Sequence, residues 1–136
     1  MSDPPVGEDQ PVKSQRWTYD LNTGAMTDPN GNVVECGYSG AQPYVNEPYA
    51  MWREDQGPIP IGNYTIQPAY DHEQLGPCSM PLDPNPNNIM FGRDAFYIHG
   101  DTQDMNQTAS TGCIILSRAT RDLINASPVR SLEVVR

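Results

Sequence analysis

Phe96-Tyr97-Ile98-His99-Gly100 and, further on, Ala109-Ser110-Thr111-Gly112-Cys113-Ile114-Ile115-Leu116 are the two runs that decide how this chain is read. Each pairs a short apolar stretch with a chemically competent residue. His99 closes the first stretch, Cys113 opens the second, and fourteen positions separate them. Short runs rich in β-branched and aromatic residues predict buried strands. Two such strands side by side bring His99 and Cys113 to one rim. The polar loop from Asp101 to Ser110 then lies where it can reach a ligand. A thiol is a weak nucleophile until it ionises, and a neighbouring imidazole lowers its pKa and takes its proton. The same imidazole can return that proton to a leaving amine. Gly112 allows close backbone approach, and N–H groups beside it can stabilise an oxyanion. Ser110 can hydrogen-bond the imidazole or shape the turn.

Working outward, the rest of the chain also predicts strands and turns. Arg16 to Asp20 alternates like a strand, with a turn at Leu21-Asn22-Thr23-Gly24. A second turn at Asp28-Pro29-Asn30-Gly31 leads to Val33-Val34-Glu35-Cys36, which completes a hairpin ended by Gly37-Tyr38-Ser39-Gly40. Residues 41–57 lack periodicity and suit a long loop with aromatic anchors, or a short helix around Tyr49–Arg53. Asn63-Tyr64-Thr65-Ile66 is strand-like, and residues 71–88 form a Pro/Asn-rich connection. Ser117 caps a helix from Arg118 to Ala126, stopped by Ser127-Pro128. Leu132 to Val135 is a last strand. Six or seven strands against one helix predict a mostly-β domain over residues 16–136, preceded by a flexible tail over residues 1–15.

Composition sets limits on partners. The 14 prolines and 11 glycines make up about 18% of the chain, above the usual share but short of low complexity. Seventeen acidic against eight basic side chains give a net charge of −9. Nucleic acid is therefore not an expected partner, because binding it rests on Lys and Arg at phosphates. No stretch approaches the roughly 18 apolar residues of a membrane span. The beginning, Met1-Ser2-Asp3-Pro4-Pro5, has neither the basic start nor the apolar core of a signal peptide.

Cys36, Cys78 and Cys113 make an odd count, so at least one thiol stays unpaired within a monomer. Three pairings are open, as is the fully reduced state. Cys113 before Ile-Ile-Leu also fits a buried core thiol, and His99 a satisfied structural histidine. No ligand spacing such as Cys-x-x-Cys accompanies them, so neither a metal nor another cofactor is expected.

His99-Gly100 followed by Ser110-x-Gly112-Cys113-Ile114 resembles the signature of the L,D-transpeptidase catalytic domain. Pro58-Ile59-Pro60-Ile61-Gly62-Asn63-Tyr64-Thr65-Ile66 resembles the segment that precedes the active site there. A closer resemblance is to the short cell-wall-targeting effectors of bacterial type VI secretion that carry a divergent form of this domain. It rests on Trp17-Thr18-Tyr19-Asp20, Thr23-Gly24, Tyr38-Ser39-Gly40, Gly57 to Tyr64, Gly92-Arg93 and Ser110 to Cys113.

The resemblance implies an L,D-transpeptidase-like β-sandwich with one short helix after Cys113. It implies Cys113 as nucleophile and His99 as acid–base, with Ser110, Gly112 and Gly100 completing the catalytic group and a Gly100 carbonyl orienting the imidazole. The implied substrate is a peptidoglycan stem tetrapeptide with meso-diaminopimelate, which is hydrolysed or exchanged onto a D-amino acid. Implied partners are a secretion apparatus and a cognate immunity protein. The protein is expected to leave its cell without a signal peptide and to act in the periplasm of target bacteria. Two positions depart from the ordinary pattern. Thr111 stands where a second His is frequent, and no Arg follows Gly-Cys-aliphatic, since Ile115 and Leu116 come next and Arg118 later. Arg93 is then the candidate for the substrate carboxylate, Asp101 for its amine, and Tyr38 for a further contact. His72 falls in a loop and carries no assigned role. Caspase-like enzymes need a more helical chain, and papain-like enzymes reverse the Cys–His order. A non-catalytic wall-binding or inhibitor module on the same scaffold is the remaining alternative, and it is expected to lack the thiol or the histidine.

Overall fold

The computed structural model describes residues 15–101 and 110–136. The expected loop between Asp101 and Ser110 therefore lies outside the described residues, as does the expected tail apart from Gln15. Among the described residues ten strands and one α-helix follow in order: β1 Trp17–Asp20, β2 Ala25–Thr27, β3 Val33–Cys36, β4 Tyr38–Ser39, β5 Gly62–Ile66, β6 Tyr70–His72, β7 Gly76–Pro84, β8 Phe96–His99, β9 Ile114–Ile115, α1 Arg118–Ala126 and β10 Ser131–Val135. A 3₁₀ turn at Pro48–Ala50 stands where a short helix was expected around Tyr49–Arg53. The domain is mostly β, with its one α-helix just after Cys113, as anticipated. None of the described helices is long and apolar enough to cross a membrane.

The strands form one sheet in the order β3-β2-β1-β10-β5-β7-β8-β9-β4, with β6 added on β7. The two ends of this path, β3 and β4, are consecutive in the chain and separated only by Gly37. A sheet whose first and last strands are so joined has to curl on itself, so the layers of the expected sandwich belong to one nearly closed, barrel-like wrap. Inside it pack Trp17, Tyr19, Met26, Ile59, Ile66, Met80, Phe96, Ile98, Ile114, Ile124, Leu132 and Val134. Alternation along each strand selects these residues: β1 buries Trp17 and Tyr19, and β10 buries Leu132 and Val134.

Three local expectations need correction. The hairpin expected between β1 and β3 contains an extra strand, β2, which pairs with both. The Gly37–Gly40 segment expected to end it instead supplies β4, which pairs with β9 through Tyr38 and Ser39. The 71–88 connection contains the longest strand, β7. Pro81 has no N–H to give, yet its carbonyl accepts from Gln67 N–H at 2.8 Å, so one ladder position is kept.

Helix α1 was legible because its start has a chemical signature. Ser117 Oγ accepts from Thr120 N–H at 3.3 Å, and Glu35 accepts from both Ser117 N–H (3.0 Å) and Ser117 Oγ–H (2.9 Å). The carboxylate thus ties β3 to the positive end of the helix. At the other end Arg130 donates to the carbonyls of Ile124, Asn125 and Ser127.

Gly37 is where the wrap closes. A Cβ there would overlap the Ile115 carbonyl oxygen and meet Leu116 Cδ2 at 2.7 Å. Gly37→Ala should therefore cost about 3 kcal/mol or more in denaturant unfolding. Gly31→Ala, with nothing within 4 Å but a φ of +92°, should cost about 1 kcal/mol. Equal effects would mean that Gly37 is not a closure point.

Candidate functional site

Strands β8 and β9 run parallel, with Ile114 beside Ile98 and Ile115 beside His99. Cys113 therefore sits beside Tyr97, two residues before His99 along the neighbouring strand. Phe96, Ile98, Ile114 and Leu116 belong to the core. By alternation Tyr97, His99, Cys113 and Ile115 share the opposite face. This brings the predicted thiol and imidazole onto one face of two adjacent strands.

His99 is 3% exposed. Its Nδ1 lies 2.9 Å from the Gly100 carbonyl oxygen. A carbonyl can only accept, so Nδ1 carries the proton and Nε2 keeps its lone pair. Burial lowers the His99 pKa; the Gly100 bond opposes this, and Arg121 and His72 reinforce it. The shift favours the neutral ring.

Cys113 is half-buried, and Tyr97 N–H donates to Sγ at 3.3 Å. Burial pushes the thiol up to about 11, with the Tyr97 bond and the Arg93 charge pulling the other way. The sequence pattern led to an expectation of a thiol acidified by its imidazole. Burial instead favours the uncharged form of both groups, because desolvation outweighs the nearby dipoles. Among the described residues no hydrogen bond joins the two side chains.

Ser110 is a turn-shaping residue and not a partner of the imidazole. Its buried Oγ accepts from Gly40 N–H (2.9 Å) and Gly112 N–H (3.0 Å) and donates to the Cys113 carbonyl (2.6 Å). The Gly112 N–H is thereby taken. Gly112 has φ +143°, and a Cβ there would collide with an Arg93 nitrogen and meet Phe96 Cε1 at 2.8 Å. Ser39 Oγ donates to the Gly112 carbonyl at 2.8 Å and accepts from Ile59 N–H at 2.9 Å. This bond joins Tyr38-Ser39-Gly40, the Pro58–Ile66 segment and the Ser-x-Gly-Cys run.

Arg93, the expected carboxylate anchor, has a different job. It is 6% exposed. Nη1 donates to the carbonyls of Met51 and Pro58 (2.8 Å), and Nη2 to those of Gly57 (2.9 Å) and Thr111 (3.2 Å). All four terminal N–H groups are committed, and the cation stacks over Phe96 at 5.0 Å. The backbone reaches this position through left-handed conformations at Phe91, Gly92 and Ala95.

Two cavities flank the pair. One of about 220 Å³ touches Cys113 and is edged by Arg93, Phe96, Glu54, Asp55 and Asp94. The other, about 440 Å³, is lined by Tyr38, Gly100, Asp101, Ile115, Arg118 and Arg121, among others. Tyr38 O–H donates to Asp101 Oδ1 at 2.7 Å, so both expected contact residues lie in the second cavity, beyond Gly100. His72 was assigned no role, yet it ends β6 and stacks edge-on against Tyr97 at 5.2 Å. Tyr97 O–H in turn meets Tyr70 O–H at 3.2 Å. No local pattern announces this cluster, because it depends on β6 folding back along β7. The three cysteines are all free, with Cys36 exposed and Cys78 buried.

A family model described as the Tlde1 domain matches residues 33–135, most of the chain. No curated protein matches it.

Two outcomes follow from this geometry. Arg93→Met leaves four buried carbonyls without a donor and should lower unfolding stability by about 3 kcal/mol; an unchanged melting curve would remove its structural role. Burial that pushes the Cys113 thiol up to about 11 leaves little thiolate at pH 7. Its alkylation by iodoacetamide, followed by peptide mapping, should therefore rise about tenfold per pH unit from pH 7 to 9. A plateau near neutral pH would mean a preformed thiolate–imidazolium pair.

Proposed function

The chain belongs to the Tlde1 domain family, type VI secretion effectors of the L,D-transpeptidase kind that act on peptidoglycan, and on that premise we propose that it is a cysteine L,D-carboxypeptidase and transpeptidase acting on stem tetrapeptides. The observation that carries the proposal is the parallel register of β8 and β9, whose alternation turns Cys113 and His99 to one face, with His99 Nδ1 tied to the Gly100 carbonyl. That bond leaves Nε2 as the basic nitrogen, as a general base for the thiol requires.

In the proposed reaction Nε2 takes the Cys113 proton as Sγ attacks the carbonyl of the meso-diaminopimelate residue. A tetrahedral oxyanion forms. Its donor is assigned to the Cys113 N–H, since Gly112 N–H is committed to Ser110. The C–N bond to the terminal D-Ala then breaks, and His99 gives its proton to the leaving amine. A thioester remains on Cys113. Water resolves it to a free acid and the thiol; a D-amino acid resolves it to a new peptide bond. Either outcome removes the donor needed for wall cross-linking. Asp101, held by Tyr38, is the proposed contact for the amine. Arg93 is assigned to positioning, because its donors are spent on the backbone.

Action in the periplasm of the target cell and neutralisation by a cognate immunity protein complete the proposal. An occluder seated over the two cavities would close the site.

The test is mass spectrometry of disaccharide-tetrapeptide after incubation, with and without an added D-amino acid. Loss of one D-Ala, or its replacement, is expected with the unmodified chain and is abolished in Cys113→Ala at unchanged melting temperature. His99→Ala should lose about 10²- to 10⁴-fold. Because the working pair is thiol plus neutral imidazole, kcat/KM should be flat from below the ordinary histidine range up towards pH 11. Turnover by Cys113→Ala would exclude the thiol mechanism, and no turnover by any form would favour the binding module.

A further inference from the structure

Arg121 is 8% exposed, so its guanidinium is largely desolvated, which lowers its pKa. Two of its three nitrogens are spent on the backbone. Nε donates to the carbonyls of Leu116 (3.1 Å) and Ser117 (3.3 Å). Nη1 donates to those of Pro77 (2.7 Å) and Cys78 (3.1 Å). Nη2 is different: among the described residues it has no hydrogen-bond partner, and no carboxylate pairs with the side chain. Nη2 is not a sealed, orphaned donor; it opens to solvent, where an anion can reach it.

The unused nitrogen is well located. Arg121 lines the cavity of about 440 Å³ with Tyr38, Gly100, Asp101 and Ile115. A Cβ built on Gly100 would meet Nη2 at 2.7 Å. Gly100 is the residue whose carbonyl holds His99, and the Arg121 charge acts on that ring. The acids in this cavity are already engaged: Asp101 accepts from Tyr38 and Glu35 from Ser117.

We propose that Arg121 Nη2 binds the α-carboxylate of the terminal D-amino acid, both as it leaves the stem and when a new one enters. The inference deepens the reading of Cys113 and His99 as an acyl-transfer pair and rests on it. The amine that His99 protonates and the carboxylate that Arg121 holds belong to one small zwitterion, one carbon apart. Exchange is the reverse of expulsion, so the incoming D-amino acid uses the same cavity. Asp101 faces the ammonium and Arg121 the carboxylate. The four carbonyl contacts fix the guanidinium in advance, so little ordering accompanies binding.

The test uses the full chain carrying Cys113→Ser, titrated with D-alanine and with D-alaninamide and followed by amide chemical shifts. D-alanine should bind at least about tenfold more tightly than its amide, with shifts at Gly100, Asp101 and Ile115. Arg121→Gln should abolish that preference. If this variant does not fold, Gly100→Ala decides, because it crowds Nη2 and leaves the Arg121 backbone contacts in place. Equal binding of acid and amide, no binding of either, or a preference that survives both substitutions overturns the proposal. In the unmodified chain, stem tetrapeptide ending in a carboxylate should turn over at least about tenfold better than the C-terminal carboxamide. Turnover that ignores this change would leave acyl transfer standing and remove Arg121 from it. Carboxylate-selective binding without any turnover would remove the acyl-transfer reading instead.

Discussion

The guanidinium of Arg93 is the fixed point around which the segment that carries Cys113 is assembled. It is a buried cation neutralised by backbone dipoles: four carbonyls, from Met51, Gly57, Pro58 and Thr111, converge on its two terminal nitrogens. Those carbonyls come from the aromatic loop, the Gly-Pro-Ile-Pro segment that follows it and, much further along the chain, the turn before Cys113, and none of them lies in a strand. Charge-assisted bonds to carbonyls are the stronger kind, and losing the donor leaves all four acceptors unsatisfied. Gly112 interlocks with this centre, since a side chain there would occupy the space of Arg93. The position of Cys113 is thus set by an arginine that sits behind it. Ser110 and Ser39 pin the same turn from the other side.

The environment so built opposes ionisation of the thiol. Burial raises the Cys113 pKa and lowers that of His99, and both shifts favour the uncharged forms. On the proposed mechanism the thiol gives up its proton as Sγ attacks, and the negative charge passes to an oxyanion with donors in place. Reactivity then depends on a bound acyl group more than on the thiol alone. A thiol held neutral is also a slow target for oxidants and alkylators, whose rates follow thiolate content.

How much of this was legible follows from what is local and what is not. Phe96–His99, Ile114–Ile115 and the Ser117-capped helix were readable because a four-residue pattern or a cap specifies each one. Strand β7 was hidden because Pro77, Pro81 and Pro84 and the left-handed Cys78 read as breaks, while its pairing to β5 and β8 is non-local. Strand β2 escaped notice because only Met26 of its three residues is buried. Motif order pointed to Cys113 and His99 on neighbouring strands, and the β8–β9 register makes those strands adjacent. The assignment of Arg93 as a ligand contact failed because an arginine that binds carbonyls looks no different in sequence from one that binds a carboxylate. Arg121 was passed over for the same reason.

The arginines also explain how an acidic chain can present a local positive site. Of eight basic side chains against seventeen acidic ones, Arg93, Arg121 and Arg130 turn inward onto backbone carbonyls. The outer surface is left more negative than composition alone implies, which disfavours polyanions in general. Inside, the two cavities beside the thiol differ in balance. Glu54, Asp55 and Asp94 outnumber Arg93 around the one that touches Cys113, while Arg118 and Arg121 offset Glu35 and Asp101 in the one behind Gly100. The second cavity is thus the less negative of the two, and on the proposed reading it is the one that takes the carboxylate terminus.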